Sequence, residues 1–541
     1  MNRRLLRLAA AGFSLAAAAA VNAPASASAG QAGGATLTAS GSVPFACTPF
    51  QPSAPEGASV ESVTATAVPA GAFQVPGSPP LGGGVVPDVP AHCEVTVTLT
   101  HPGANDRAKV QIWLPESGWN GRFQAAGGAA YAAGNIGSVA AAVKQGYAAA
   151  TTDAGVDTSG LDSSWALDGQ GRINAALLEN FASRSVHEMA LVGKQVVDGV
   201  YGHTAFRSYF NGCSTGGRQG YMEAQKYPTD FDGINAASPA INWNQFEVAT
   251  LWPQVVMNEQ HTYPTACEFN AFNQAALKAC DKLDGIADGL ISDPNRCDFD
   301  PRRLIGMKVV CEGKEYTISA ADAEVVRKIW DGPRDSHGKR LWYGLPIGAD
   351  FGPLAASTTT DGVTTGAPFI VPAEWVANFV QKQPGFSSAN LTYPQFEEIF
   401  RKARAEFDPA IGTRDADLSA FRDAGGKLLS WHGDADPVIP TAGTVDYRKR
   451  VEDRMGGSAK VDNFYRVFLA PGVGHCALNG ADDMAALTAW VERGQAPGVL
   501  HATLPTADGR NVTRDVCRYP MVSRYAFGDP NAASSFRCVR P

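Results

Sequence analysis

The sequence predicts an α/β fold, a mostly parallel sheet with helices on both faces, interrupted by one large insertion. Three observations carry this. Short strand-like stretches alternate with helical ones along the first half of the chain. One of those strands runs into Asn211-Gly212-Cys213-Ser214-Thr215-Gly216-Gly217, a G-x-S-x-G turn followed by helix-like sequence at 218–226. A serine, an aspartate at 434 or 436 and His475 follow one another down the chain, and that order is the one found in the α/β-hydrolase fold.

From the N-terminus, Arg3, Arg4 and Arg7 precede an apolar, alanine-rich stretch at 15–21, and Ala27-Ser28-Ala29 offers a small-residue cleavage site. Residues 1–29 are therefore read as a secretory signal peptide and the protein as exported, to the periplasm or beyond. The apolar stretch is too short and alanine-rich for a good membrane span, and no cysteine stands near the cleavage site to carry a lipid. Residues 30–90, rich in Gly, Ala, Pro and Ser with a Pro/Gly cluster at 77–87, are expected to form loop or a loosely wrapped arm. Cys93, Val95, Val97 and Leu99 alternate as in a half-buried strand over 92–101. Further strands are expected at 109–114, 146–152 and 208–210, and a helix at 185–200.

The pattern breaks after Pro239. Cysteines, an Asp-rich loop, a Thr/Gly-rich stretch at 357–366 and unpatterned aromatics follow, until Lys427 to Trp431 restarts the strand pattern. The expected organisation is a catalytic domain formed by 30–239 and 414–541, with an inserted domain at 240–413. No internal repeat argues for a solenoid or propeller.

The 541 residues carry a net charge of -8, with a pI near 5.7, so no basic footprint points to nucleic acid. No charge run or basic amphipathic helix points to a membrane surface. Ten cysteines remain after the signal: 47, 93, 213, 267, 280, 297, 311, 476, 517 and 538. An even number in an exported chain implies disulfides, with many connectivities open. No C-x-x-C occurs, which removes the support for zinc-ribbon or thioredoxin readings.

The elbow explains its own composition. A strand turning sharply into a helix brings backbone against backbone, so small residues flank Ser214, and the hydroxyl is held at a helix N-terminus whose N–H groups can stabilise an oxyanion. A serine hydroxyl needs a base, and an imidazole needs a carboxylate to hold its tautomer. His475 follows the turn Pro471-Gly472-Val473-Gly474 after strand-like 465–469, where a catalytic base would stand. Asp434 and Asp436 compete for the acid, and His432 is expected to pack or cap the turn. The Thr215 N–H is the expected oxyanion donor, with a second from the Gly127-Gly128 turn. Asp281, Asp284 and Asp288 place three carboxylates within eight residues, a set suited either to a hard cation or to a plain Asx/Gly turn. Phe369, Trp375, Phe379, Phe386 and Ile439 are candidates to line an aromatic pocket, although most aromatics are core.

One cysteine precedes the candidate nucleophile and another follows the candidate base. In this Cys-Ser, Asp, His-Cys pattern the chain resembles the tannase and feruloyl esterase family of secreted serine esterases. Matching blocks run in order through Arg122-Phe123-Gln124-Ala125-Ala126-Gly127-Gly128, the elbow, the Asp-rich loop, His432-Gly433-Asp434-Ala435-Asp436, Pro471 to Cys476, and Trp490-Val491-Glu492-Arg493-Gly494. The resemblance implies an α/β-hydrolase domain with 240–413 as a lid, and the triad Ser214, Asp436 and His475, with Asp434 a turn residue. It favours Gly128 as the second oxyanion donor beside Thr215. It also implies a structural calcium ion on Asp281, Asp284 and Asp288 with the carbonyls of Ile286 and Leu290. For the disulfides it implies Cys213–Cys476, Cys280–Cys297 and Cys517–Cys538; Cys47–Cys93 is reasonable at the N-terminus, and Cys267 and Cys311 remain.

The expected activity is hydrolysis of esters of aromatic, phenolic acids such as feruloyl or galloyl esters, through an acyl-enzyme and without an organic cofactor. The alternatives are an acyltransferase or a hydrolase of terephthalate-type monoesters, and a non-catalytic binding protein on the same scaffold. The partner is a small aromatic ester, with neither nucleic acid nor membrane expected and the oligomeric state open.

Overall fold

Strand patterning produces nine strands of one mixed sheet: β1 (Ser59–Val68), β2 (His92–Thr100), β3 (Ala108–Pro115), β4 (Arg122–Ala126), β5 (Ala148–Thr152), β6 (Arg207–Cys213), β7 (Gly233–Ala237), β8 (Lys427–Gly433) and β9 (Tyr465–Ala470). They lie side by side in the order β1-β2-β3-β5-β4-β6-β7-β8-β9. The pairs β1–β2, β2–β3 and β3–β5 are antiparallel. From β5 onward every pair is parallel. The computed structural model describes residues 45–77, 83–156, 159–202, 206–311, 313–361, 363–507 and 509–541. The signal segment expected at 1–29 lies outside them.

The helices in chain order are α1 (Ile136–Lys144), α2 (Ser185–Tyr201), α3 (Thr215–Lys226), α4 (Trp243–Ala249), α5 (Trp252–Gln260), α6 (Ala266–Cys280), α7 (Ala320–Asp331), α8 (Tyr393–Ile411), α9 (Ala442–Met455) and α10 (Asp483–Arg493), besides shorter turns. Successive strand residues point to opposite faces, so Tyr209 and Leu429 enter one core and Phe210 and Leu428 the other. Val186, Met189, Val196 and Val197 of α2 cover the second face together with Tyr221 of α3 and Val451 of α9. Val139 and Val143 of α1, with Leu487 and Trp490 of α10, cover the first. This is the α/β-hydrolase arrangement, with three antiparallel pairs added at one edge.

That edge corrects the reading of 30–90 as loop or arm. β1 joins the main sheet, and Gly71–Gln74 pairs with Val85–Val89 in a hairpin. β1 is an edge strand whose exposed residues are mostly Ser, Thr and Glu61, and a register shift between Val60 and Ser62 breaks its alternation. Beyond α10 the chain forms two further antiparallel hairpins, Val499–Pro505 with Asn511–Cys517 and Val522–Tyr525 with Phe536–Val539. Between β7 and β8 the chain leaves the sheet, and α4 to α8 bury Trp243, Trp252, Phe396 and Phe400 in a core that also takes in Tyr131 and Phe181 from the segments between β4 and α2.

The ten cysteines form five disulfides: Cys47–Cys93, Cys213–Cys476, Cys267–Cys311, Cys280–Cys297 and Cys517–Cys538. Cys213–Cys476, Cys280–Cys297 and Cys517–Cys538 are the pairs the resemblance implies, Cys47–Cys93 is the one expected at the N-terminus, and Cys267–Cys311 joins the two that remained.

Candidate active site

Ser214 stands between β6 and α3 with φ 64° and ψ −121°. A non-glycine residue held there stores strain of about 1–3 kcal/mol and persists only where its surroundings over-determine it. They do so here. Ser214 N–H donates to Ala237 O on β7, and Ser214 O accepts the N–H groups of Arg218 and Ala240, all at 3.0 Å. A Cβ on Gly212 would lie 2.6 Å from the Gly216 carbonyl carbon, and one on Gly127 would lie 2.6 Å from Gly216 Cα. The turn therefore closes only with glycine at these positions, and Gly216 N–H bonds Gly128 O at 3.0 Å.

The acid and base come from the ends of β8 and β9. Asp436 is fully buried. Its Oδ1 accepts the N–H groups of Val438 and Ile439, both at 2.9 Å, and its Oδ2 accepts from His475 Nδ1 at 2.8 Å. His432 adds a contact that the sequence reading missed. Its Nε2 faces Asp436 Oδ2 and Ile439 O, both at 3.1 Å, and its Nδ1 faces Thr444 Oγ1 at 2.8 Å. Two acceptors around Nε2 require the proton there, so Thr444 donates to Nδ1 and His432 donates to the acid. Burial would raise Asp436, but the His475 charge and the hydrogen bonds from His432 and His475 outweigh it and hold the carboxyl below its ordinary range. The Nδ1 bond to Asp436 turns His475 Nε2 away from the acid, as a base requires.

β6 and β9 are three strand positions apart, about 14 Å at about 4.8 Å per strand. The loop after β9 must fold back across β8 and β7 to reach the elbow. The Cys213–Cys476 bond holds it there, with Cα atoms 6.0 Å apart. Ser214 and His475 are thus each adjacent to a half-cystine of the same bridge.

Asp434 has a different environment. Its backbone N–H bonds Ala470 O, but its carboxyl has no hydrogen-bond partner among the described residues and lines a cavity of about 340 Å³ with Asn273, Leu290 and Gly472. Burial, with the charge of Asp293 added, pushes it up to about 8.

Gly128 requires a correction. Its N–H already donates to Gln219 Oε1 at 2.9 Å, and Gln219 is buried. A Cβ at Gly128 would fall 1.9 Å from Ala132 O. The glycine is there for close packing, and its N–H is not available to substrate. Thr215 N–H has no partner among the described residues, as expected for the first helical position. Thr215 Oγ1 donates to Ala130 O at 2.7 Å. Ala130 itself has φ 46°, and its N–H has no partner among the described residues. No residue pattern pointed to Ala130, because alanine at positive φ leaves no compositional mark.

The aromatic candidates divide. Trp375 and Phe379 are fully buried and stack on each other at 4.3 Å in the core shared with Tyr131 and Trp165, so their faces are taken up by protein rather than turned to a ligand. Phe369 and Phe386 are half-buried against the same cluster, which also takes in Ile439 from the acid loop.

In the Asp-rich loop, Asp281 Oδ1 accepts N–H groups from Asp288 at 3.0 Å and Gly289 at 3.2 Å. Asp284 accepts from Ser292 Oγ at 2.7 Å and from Ile286 N–H at 3.2 Å. Asp288 pairs with the buried Arg514 guanidinium. Burial raises Asp284 to about 6 against its hydrogen bonds, and the charges of Asp288 and Asp281 add to the rise. Of the three carboxylates only Asp288 is paired with a cation among the described residues, and this excess of hard oxygen donors fits a divalent cation in charge and donor type. As they stand, no three acidic, imidazole or thiolate side chains among the described residues converge as metal ligands; Asp281 and Asp288 turn to their own loop and to Arg514.

Comparison with known proteins agrees with this architecture. Residues 93–539 match the family model for tannase and feruloyl esterase. A probable feruloyl esterase from Arthroderma benhamiae is 48% identical over 459 residues, covering 83% of this chain and 86% of that protein. The structure of tannin acyl hydrolase from Aspergillus niger superposes with a TM-score of 0.79 at 27% identity, over 90% of this chain and 92% of that one. Feruloyl esterase B from Aspergillus oryzae superposes with a TM-score of 0.74 at 26% identity, over 90% and 97%. With sequence and fold matched along most of its length, the chain belongs to the tannase and feruloyl esterase family of carboxylic-ester hydrolases.

Proposed function

We propose that the protein hydrolyses esters of hydroxylated aromatic acids, feruloyl or galloyl esters, with Ser214 as nucleophile, His475 as base and Asp436 as its orienting acid. One observation carries this: the Cys213–Cys476 bridge joins the strained elbow to the loop whose imidazole is bonded to Asp436 at 2.8 Å. Relatives named as feruloyl esterase and tannin acyl hydrolase support the acyl class. Ser214 Oγ attacks the ester carbonyl as His475 Nε2 takes its proton. The oxyanion is received by the N–H groups of Thr215 and, in place of Gly128, Ala130. His475 then gives the proton to the leaving alcohol. A water deprotonated by the same imidazole attacks the acyl-enzyme, releasing the aromatic acid and restoring the serine hydroxyl. His432 and the Val438 and Ile439 N–H groups keep Asp436 ionised and aimed, so the imidazolium formed in each half-reaction meets a full negative charge.

The 281–290 loop is proposed to hold a calcium ion through Asp281, Asp284, Asp288 and the Ile286 and Leu290 carbonyls, where the ion would neutralise buried carboxylates and stiffen the loop. It takes no part in the chemistry. Export through the 1–29 segment is part of the same proposal. It is supported by five disulfides, which persist in oxidising compartments, and among the described residues no helix is long and apolar enough to cross a membrane.

The test is a panel of methyl gallate, methyl ferulate, ethyl benzoate and a terephthalate monoester. The expected result is the highest kcat/KM on gallate or ferulate. A preference for the terephthalate monoester, or no turnover of any, would overturn the proposal.

A further inference from the structure

Besides the Cys213–Cys476 bridge and the His475–Asp436 bond, the loop carrying His475 is held from two sides. On one, Ala435 N–H donates to Val473 O at 3.0 Å and Asp434 N–H to Ala470 O at 2.8 Å, which joins the acid loop to the base loop through backbone. On the other stands Leu290, from the end of the Asp-rich loop. A Cβ built on Gly472 would lie 2.5 Å from Leu290 Cδ2, so the leucine side chain fills the space over Gly472, three residues before His475. Gly472 has φ 66°, a conformation glycine adopts freely and also leaves freely. The turn is closed by Val473 N–H on Ala470 O at 3.3 Å and tethered beyond His475 by the Cys213–Cys476 bridge; at Gly472, which has no side chain of its own, the packing is supplied by the neighbour. Leu290 is buried among Val473, Ala470 and Trp431.

Leu290 is itself fixed from outside the catalytic domain's central sheet. Its N–H donates to Asp288 Oδ1 at 3.2 Å, Asp288 is paired with Arg514 of the C-terminal hairpin, and Gly289 O accepts Ala507 N–H at 3.3 Å. The Asp-rich loop thus reaches the base loop through one aliphatic side chain, with no hydrogen bond needed between Leu290 and Gly472.

We propose that Leu290 is a positioning residue for His475: its side chain, pressed on Gly472, keeps the 471–475 turn in the register that presents the imidazole to Ser214. This rests on the reading of His475 as the base. Protein interiors are close-packed, and a truncated leucine leaves a cavity that its neighbours only partly fill. Here the neighbour free to relax is a glycine turn bearing the base. A displacement of about 1 Å at reacting groups costs about a hundredfold in rate.

The experiment compares Leu290→Ala, Leu290→Val and Leu290→Met with Leu487→Ala, a control buried in the same apolar cluster on α10. Active sites are counted with a fluorophosphonate, and kcat, KM, the rate of phosphonylation and Tm are measured. The expected result for Leu290→Ala is a fall in kcat per titrated site of about tenfold or more, with KM within about twofold and phosphonylation slowed in proportion. Leu290→Met, which conserves volume, should recover most of the rate. Leu487→Ala should lower Tm with kcat per site little changed. If Leu290→Ala does not fold, Leu290→Val is judged in its place, with a smaller fall expected. An unchanged kcat per site in the folded Leu290 variant, or an equal loss in Leu487→Ala, overturns the inference. A wild-type protein inert to the fluorophosphonate would instead overturn the reading of the triad.

Discussion

Cys213 ends β6 and Cys476 follows β9, yet their Cα atoms lie 6.0 Å apart although the strands are separated by β7 and β8. The bridge closes a sequence separation of 263 residues, for which chain entropy alone gives about 5–6 kcal/mol as an upper bound. Its placement gives it a second effect, on the distance between nucleophile and base. Replacing both cysteines by alanine is expected to lower kcat per folded molecule by about tenfold or more, because loss of reacting-group alignment is steep, while four disulfides keep the fold. Circular dichroism with active-site titration checks this; a kcat per folded molecule equal to wild type would leave the bridge a stability role only.

The two aspartates of the acid loop should separate cleanly. Asp436→Asn removes the charge that orients and stabilises the imidazolium and is expected to cost about 10³–10⁴-fold in kcat. Asp434→Asn should leave most activity. Its stability effect has a defined sign. The Asp434 carboxyl is raised to about 8 in the fold from about 3.9 unfolded, so the folded state holds the extra proton between those values. The contribution is full below the unfolded value and is lost as pH rises toward 8. Asp434→Asn should therefore raise Tm at pH 8–9 relative to wild type and gain least near pH 4. An Asp434→Asn variant more damaged in kcat than Asp436→Asn would move the acid to Asp434.

Thr215 Oγ1 fixes Ala130 through its carbonyl at 2.7 Å, and Ala130 N–H is the proposed second oxyanion donor. Thr215→Val keeps shape and both N–H groups but releases Ala130. Losing one well-placed donor costs about 10²–10³-fold in comparable sites, and loosening one should cost less, about tenfold, with KM little changed. A Thr215→Val variant with unchanged kcat would separate Ala130 from the oxyanion.

Chelation should lower Tm, since an ion held by the native state alone stabilises it by mass action. Asp284→Ala should reproduce the lower Tm and remove the chelator's effect. Scanning calorimetry with metal analysis of the purified protein reads both; no bound calcium and no chelator effect would leave the Asp-rich loop a turn closed by Cys280–Cys297.

What the sequence carried, it carried through pattern and chemistry. The strands at 92–101 and 109–114 and helix α2 announce themselves by alternation or helical spacing of apolar residues, and the elbow by its glycines. β1 was hidden because its valines are only half-covered at the sheet edge and its alternation is broken by a register shift between Val60 and Ser62. Gly128 misled because a glycine needed for close approach and a glycine that offers its N–H look alike; only the Gln219 side chain tells them apart. His432 packs and caps the turn as expected, bonding Ile439 O at 3.1 Å, but nothing in His432-Gly433-x-x-Asp436 shows that strand end and turn also bring the imidazole onto the carboxylate. Trp375 and Phe379 were candidates for a ligand clamp because aromatic residues in an insertion have no signature separating a pocket wall from a core.

The central claim, that Ser214 is the nucleophile of a serine esterase, is tested most directly by intact-mass and peptide mapping after treatment with a fluorophosphonate. One adduct per molecule is expected, on Ser214, with esterase activity lost in proportion to labelling. Ser214→Ala should take up none and His475→Ala should react far more slowly, because serine and base act as a unit. An adduct on another residue, or full activity in folded Ser214→Ala protein, would contradict it.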